Sequence, residues 1–199
     1  MTKTPHQQMV TDLVKPGADI LVTLTPAKCN LLHMAIGIAG EYFEISQGLV
    51  GTHEMLVAGQ VDENGNPDIS NVIEELGDAS FFLEGIAQEL NLNVEELKAG
   101  YIDADSAGPL TLLNAVESIL DTVKKHIIYN KPLTDENLAT VGANVGAAQA
   151  SIENLASSLD VSMGDILEAN MQKLLKGATA RYKTGTYTDD QAQDRADKA

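Results

Sequence analysis

Two segments decide most of what this chain can become. Residues 27–48 (AKCNLLHMAIGIAGEYFEISQG) and 71–90 (NVIEELGDASFFLEGIAQEL) are apolar around most of a helical circumference, yet each carries two carboxylates three residues apart. A helix that is hydrophobic nearly all round has to be covered. Both are therefore expected to be buried helices, the first opening at Thr25-Pro26 with proline in its first turn and the second capped by Asp68 or Ser70.

The remaining chain supplies the cover. HQQMVTDLVKPG reads as a short N-terminal helix stopped at Pro16-Gly17. VEELKAGY gives one or two turns, and LTLLNAVESILDTVKKHIIY gives a long helix that stops before Pro132. Thr134 opens a capping pattern into ENLATVGANVGAAQASIENLASSL, and MGDILEANMQKLLKGATARY reads as a closing helix. Between the two buried helices, Asn64-Gly65 and Asn66-Pro67 are turn signals in a loop with room for a small hairpin. Nothing reads as a sheet, and with aromatics at only 4% the expected class is all-α. No apolar run approaches the roughly 18 residues a membrane helix needs, and MTKTPHQQMV lacks the apolar segment of a secretory signal.

Charge and cysteine narrow the partners. The formal net charge of −16 disfavours nucleic acid and anionic membranes. The charge is concentrated: residues 1–110 hold 4 basic and 17 acidic side chains, against 9 and 12 in the rest. That field favours cations in the first half and repels phosphate unless a metal ion intervenes. Cys29 stands alone, which excludes an internal disulfide and fits a reducing, cytoplasmic setting.

The chain also repeats itself. With a constant offset of 69, residues 74–97 align with 143–166: Gly77 meets Gly146, Ala87 meets Ala156, Leu90 meets Leu159 and Glu96 meets Asp165. The helices before these segments also pair, in an ambiguous register. The expected architecture is one all-α domain over 1–199, with a four-helix-bundle core from two tandem helical hairpins. The first unit spans 26–104, a degenerate second unit spans 105–183, and 184–199 is a polar C-terminal tail.

The chemistry sits in the first unit. Glu41 and Glu44 form E-x-x-E, and Glu75 and Asp78 form E-x-x-D, each pair on one helical face. Like charges so placed are unfavourable, and burial makes them far more so unless a cation compensates. Four carboxylates between two helices form a hard-oxygen cage suited to Mg²⁺, with Mn²⁺ able to substitute. Gly37, Gly40, Gly77 and Gly85 near these faces offer close helix approach or ligand room. His33 lies on the Glu41 stripe, either as a substrate contact or as a hydrogen-bonded core histidine. Lys124 and Lys125 read as phosphate contacts or as a solvated helix end. No phosphate-loop glycine motif, dinucleotide fingerprint or Cys/His cluster is present.

LLHMAIGIAGEYFE followed by NVIEELGDASFFLEGIAQELNLNVEEL resembles the MazG-like nucleoside triphosphate pyrophosphohydrolases, an all-α superfamily that includes the dimeric dUTPases. Its hallmark is E-x-x-E, a spacer and E-x-x-D, which Glu41, Glu44, Glu75 and Asp78 match. LDTVKKHIIYNKPLTDENL and ILEANMQKLLKGATARY resemble other stretches of the same family, so the likeness covers most of 28–195 but is split between two copies. The second copy has Asn144 and Ala147 in place of its E-x-x-D, and its first acidic pair is expected to be gone in any register.

The resemblance implies a fused pseudo-dimer. One copy would keep the metal cage, and the other would keep Lys124, Lys125, Lys173 and Arg181 to hold phosphates. It implies Mg²⁺-dependent hydrolysis of a (deoxy)nucleoside triphosphate to monophosphate and pyrophosphate, with Glu41 and Glu44 catalytic and Glu44 the base. It further implies a homo-oligomer, a dimer of the duplicated chain, controlling nucleotide pools in the cytoplasm of a bacterial or bacteriophage-infected cell. The competing expectation is a non-catalytic oligomeric helical regulator that binds a nucleotide or a protein.

Overall fold

The segments with a helical apolar repeat all form helices. A computed structural model describes residues 3–48, 69–101 and 108–196. They contain α1 (Pro5–Leu13), α2 (Gly17–Thr23), α3 (Pro26–Gly48), α4 (Ile69–Leu90), α5 (Val94–Lys98), α6 (Pro109–Ile128), α7 (Asp135–Ser158), α8 (Met163–Met171) and α9 (Asp189–Asp194). Among the described residues there is no strand, and the all-α class holds. No helix there is long and apolar enough to cross a membrane. The loop with its expected small hairpin, the Asp68 cap and the stretch 102–107 lie outside the described residues.

Local chemistry accounts for the boundaries. Thr4 and Thr134 each accept from the backbone N–H three residues on, while Gln7 and Asn137 return the bond, closing a reciprocal cap. Pro109 starts α6, where its missing N–H costs nothing. Asn91, Asn130 and Asp160 adopt left-handed backbone at helix ends, a conformation that Asn and Asp tolerate.

One hydrophobic cluster draws on α3, α4, α6 and α7, and takes in Val94 of α5 and Ile166 of α8. Its residues recur every three or four positions: Leu31, Ala35, Ile38, Tyr42 and Ile45 on α3, and Val72, Leu76, Ala79, Leu83 and Ile86 on α4. Each fully buried Leu or Ile contributes about 1.5–3 kcal/mol. α3 is less enclosed than its composition predicts. It packs chiefly on α4 and α6, and its far side leaves Ile36 58% and Phe43 62% exposed.

The two hairpins, α3–α4 and α6–α7, are joined crosswise. α5 follows α4 but packs on α7, and α8 follows α7 but packs on α4. The glycines matched by the repeat permit both crossings. A Cβ on Gly146 would lie 2.6 Å from the Leu97 carbonyl oxygen, and one on Gly77 would lie 3.1 Å from Asn170 Cβ. A lysine holds each crossing. Lys98 Nζ sits 2.6 Å from Glu153, and Lys173 Nζ reaches α4.

The closing helix is shorter than its sequence predicts. α8 ends at Met171 and passes into a π-helical turn, Gln172–Lys176, where the Gly177 N–H donates to the Gln172 carbonyl at 2.7 Å. The chain then folds back. The Arg181 and Tyr182 N–H groups donate to the Lys173 and Leu174 carbonyls at 3.0 and 2.8 Å.

Candidate active site

The contact between α3 and α4 brings three of the four predicted carboxylates together. Glu41, Glu75 and Asp78 each offer an oxygen, and these oxygens lie within 4.8 Å of one another. Glu75 is buried, whereas Glu41 and Asp78 are half-buried. Glu44 is exposed, one turn along α3 from Glu41, and is not part of this group. Its charge still acts on both Glu41 and Glu75. Gly37 lets α3 approach here, because a Cβ at that position would run into the Phe82 ring.

Crowding changes the acid chemistry. Burial first, then a hydrogen bond to Glu75, then the charges of Asp78, Glu75 and Glu44 push Glu41 up to about 8. Glu75 is also raised, chiefly by burial and by the Glu44, Asp78 and Glu74 charges, while its bond with Glu41 works the other way. At pH 7 the pair therefore favours a proton on Glu41, donated to Glu75. The donor set is entirely carboxylate oxygen, half-enclosed, and keeps that proton when no cation is bound. Such a set fits Mg²⁺ or Mn²⁺.

Asp78 is held from α8 and the π turn. Asn170 Nδ2 donates to its Oδ1 at 2.6 Å, and Lys173 Nζ donates to its Oδ2 at 2.5 Å and to Glu74 Oε1 at 3.2 Å. Hydrogen-bonded carboxylates of this kind are typical of metal ligands, where outer groups fix the rotamer.

A cleft of about 490 Å³ opens beside the carboxylates. Glu41 and Asp78 lie on its wall with Asn170 and Arg181, and Phe81, Phe82, Leu174, Tyr182 and Tyr187 supply a largely apolar remainder. His33 also lines the cleft and meets Phe82 edge-on at 6.0 Å, so the core-histidine alternative does not apply. The start of the polar tail forms part of the wall: Tyr187 meets Tyr182 at 5.7 Å with the rings tilted by 41°, and Gly185 at φ 75° lies in the turn between them.

The predicted phosphate-binding residues separate. Arg181 lines the cleft. Lys173 does not; its ammonium engages Asp78 and Glu74. Lys124 and Lys125 are half-exposed on α6, pair with Asp121 at 2.7 and 2.5 Å and are not part of the cleft wall. Those two cations draw the Asp121 carboxyl down to about 2.

The α3/α6 register, ambiguous in sequence, is readable from contacts. Asn144, the counterpart of Glu75, donates to Ser118 Oγ at 3.0 Å, where Glu75 bonds Glu41. The offset is then 77, and the buried positions agree: Ala35 with Leu112, Ile38 with Ala115, Tyr42 with Ile119. On this register Asp121 stands at the position of Glu44. On it E-x-x-E is replaced by Ser118 and Asp121, the latter paired with Lys124 and Lys125. Sequence reasoning missed Phe82, Tyr187 and Glu74. The Glu74-Glu75 doublet was a signal for Glu74, but nothing in the sequence linked Tyr187 to the first hairpin.

No protein-family model, curated protein or solved structure matches this chain.

Proposed function

We propose that the chain is a Mg²⁺-dependent pyrophosphohydrolase of a (deoxy)nucleoside triphosphate, of the MazG-like kind, acting on cytoplasmic nucleotide pools. The observation that carries the reading is the convergence of Glu41, Glu75 and Asp78 from two facing helices at the edge of a mostly apolar cleft. A triphosphate needs divalent counter-ions, and an acidic site without them would repel it. The nucleoside end needs an aromatic, apolar surface, which Phe82, Tyr182 and Tyr187 offer beside the carboxylates.

Glu41, Glu75 and Asp78 would hold Mg²⁺, or Mn²⁺ in its place. When bound, the ion polarises the α-phosphate and lowers the pKa of the attacking water. Asn170 keeps Asp78 in its binding rotamer. Glu44, exposed beside the cluster, takes the water's proton. Arg181, on the cleft wall, faces the phosphate charge that builds as the α–β P–O bond breaks. Water adds to the α-phosphorus, pyrophosphate leaves, and the monophosphate keeps the new oxygen. The exposed Ile36 and Phe43 face of α3 is the surface through which a second chain would pack.

The test is pyrophosphate release from the canonical NTPs and dNTPs, and from dUTP, with Mg²⁺. At least one is cleaved by the wild-type chain, and Glu44→Gln and Asp78→Asn each lose most of that turnover. Near-normal turnover in either variant refutes the site assignment. No release from any nucleotide leaves the non-catalytic regulator as the better reading.

A further inference from the structure

We infer that Lys173 is a resident counter-ion of the acidic cluster: a positioning residue that competes with a divalent cation at Asp78, and not a phosphate ligand. The inference rests on the reading of Glu41, Glu75 and Asp78 as a cation site. Lys173 reaches Asp78 Oδ2 at 2.5 Å and Glu74 Oε1 at 3.2 Å with only 12% of its side chain exposed.

Its direction of approach decides between the two roles. Asp78 lies on the wall of the large cleft, where a triphosphate would bind, and Lys173 does not. Lys173 lines a separate cavity of about 270 Å³ with Glu74, Ser70, Ile166 and Thr179. Asn170 borders both cavities. The ammonium therefore reaches Asp78 from a residue that walls the second cavity and not the cleft.

The π-helical turn bears on this placement. Lys173 is its second residue, and its carbonyl accepts the Arg181 N–H at 3.0 Å, so its backbone is tied to the segment that walls the cleft. A long side chain restrained at both ends is suited to holding a carboxylate in place. It is poorly suited to following a phosphate through a reaction.

A fixed positive charge beside a cation site has two opposed effects. It relieves repulsion among the carboxylates while no metal is present, and it weakens the metal's hold when one arrives. The pair is shielded from solvent, so salt screens it only partly.

The experiment is Mn²⁺ titration of the full chain, followed by electron paramagnetic resonance, for wild type, Lys173→Met and Lys173→Arg, beside thermal unfolding without metal. Lys173→Met should bind Mn²⁺ at least about fivefold more tightly, while its metal-free unfolding temperature falls. Lys173→Arg, which keeps the charge, should stay within about twofold of wild-type affinity. If Lys173→Met unfolds earlier but binds Mn²⁺ as wild type does or more weakly, the lysine is only a structural tie between α4 and the π turn, and the inference fails while the metal site stands. If wild type binds no Mn²⁺ and Glu41→Gln changes nothing, the cation site itself fails, and the competition falls with it.

Discussion

A proton held by Glu41 ties metal binding to pH. Its carboxyl is pushed up to about 8 by burial, by Glu75 and by neighbouring charges, so at pH 7 about nine molecules in ten carry that proton. A divalent cation takes the ionised form, so binding has to expel it. About 0.9 proton should be released per ion at pH 7 and about 0.1 at pH 9, and apparent affinity should rise nearly tenfold per pH unit up to about pH 8. The same shift predicts the pH dependence of folding without metal. The folded value lies above the ordinary 4.5, so the contribution is complete below that value and is lost as pH rises through about 8. From pH 7 to 9 the linkage amounts to about 1.4 kcal/mol, discounted to about 1 kcal/mol because Glu41 is only half-buried. For a chain of this length that is about 2–4 °C. Calorimetric titration with Mn²⁺ in two buffers of different ionisation enthalpy reads the proton count. Thermal unfolding of wild type and Glu41→Gln across pH 7–9 reads the stability, which should stay flat in the variant. Mn²⁺ binding at pH 7 that expels less than about 0.2 proton would refute the account of the cluster.

Two further predictions concern the second hairpin. Gly146→Val places a side chain against the Leu97 carbonyl, so α5 must lift from α7; the expected loss is about 1–3 kcal/mol, measured by urea unfolding. Lys124→Ala with Lys125→Ala should leave pyrophosphate release within about twofold of wild type and leave the unfolding midpoint nearly unchanged, because both cations serve an exposed pair with Asp121. A large rise in KM in the double variant would return these lysines to the phosphate site.

Helix identity, the all-α class and the pairing of Glu41 with Glu75 and Asp78 were legible in the linear chain. They follow from rules of short range. Apolar residues three and four apart select a helix and its inward face, and carboxylates three apart share one side. Gly77 and Gly146, matched at an offset of 69, both sit where a crossing helix comes close. The division of roles among the cations was not legible. Lys124, Lys125 and Lys173 are alike in composition, but the crosswise packing brings Lys173 to Asp78 and leaves the α6 pair on an exposed face. The α3/α6 register needed the Ser118–Asn144 contact, because apolar periodicity alone accepts more than one alignment. The cleft wall draws on residues about a hundred positions apart, Phe82 and Tyr187, which line one cleft because a π turn and a left-handed glycine bring the chain back. Such contacts arise from packing between distant segments, a property of the folded chain that no local pattern of residues encodes.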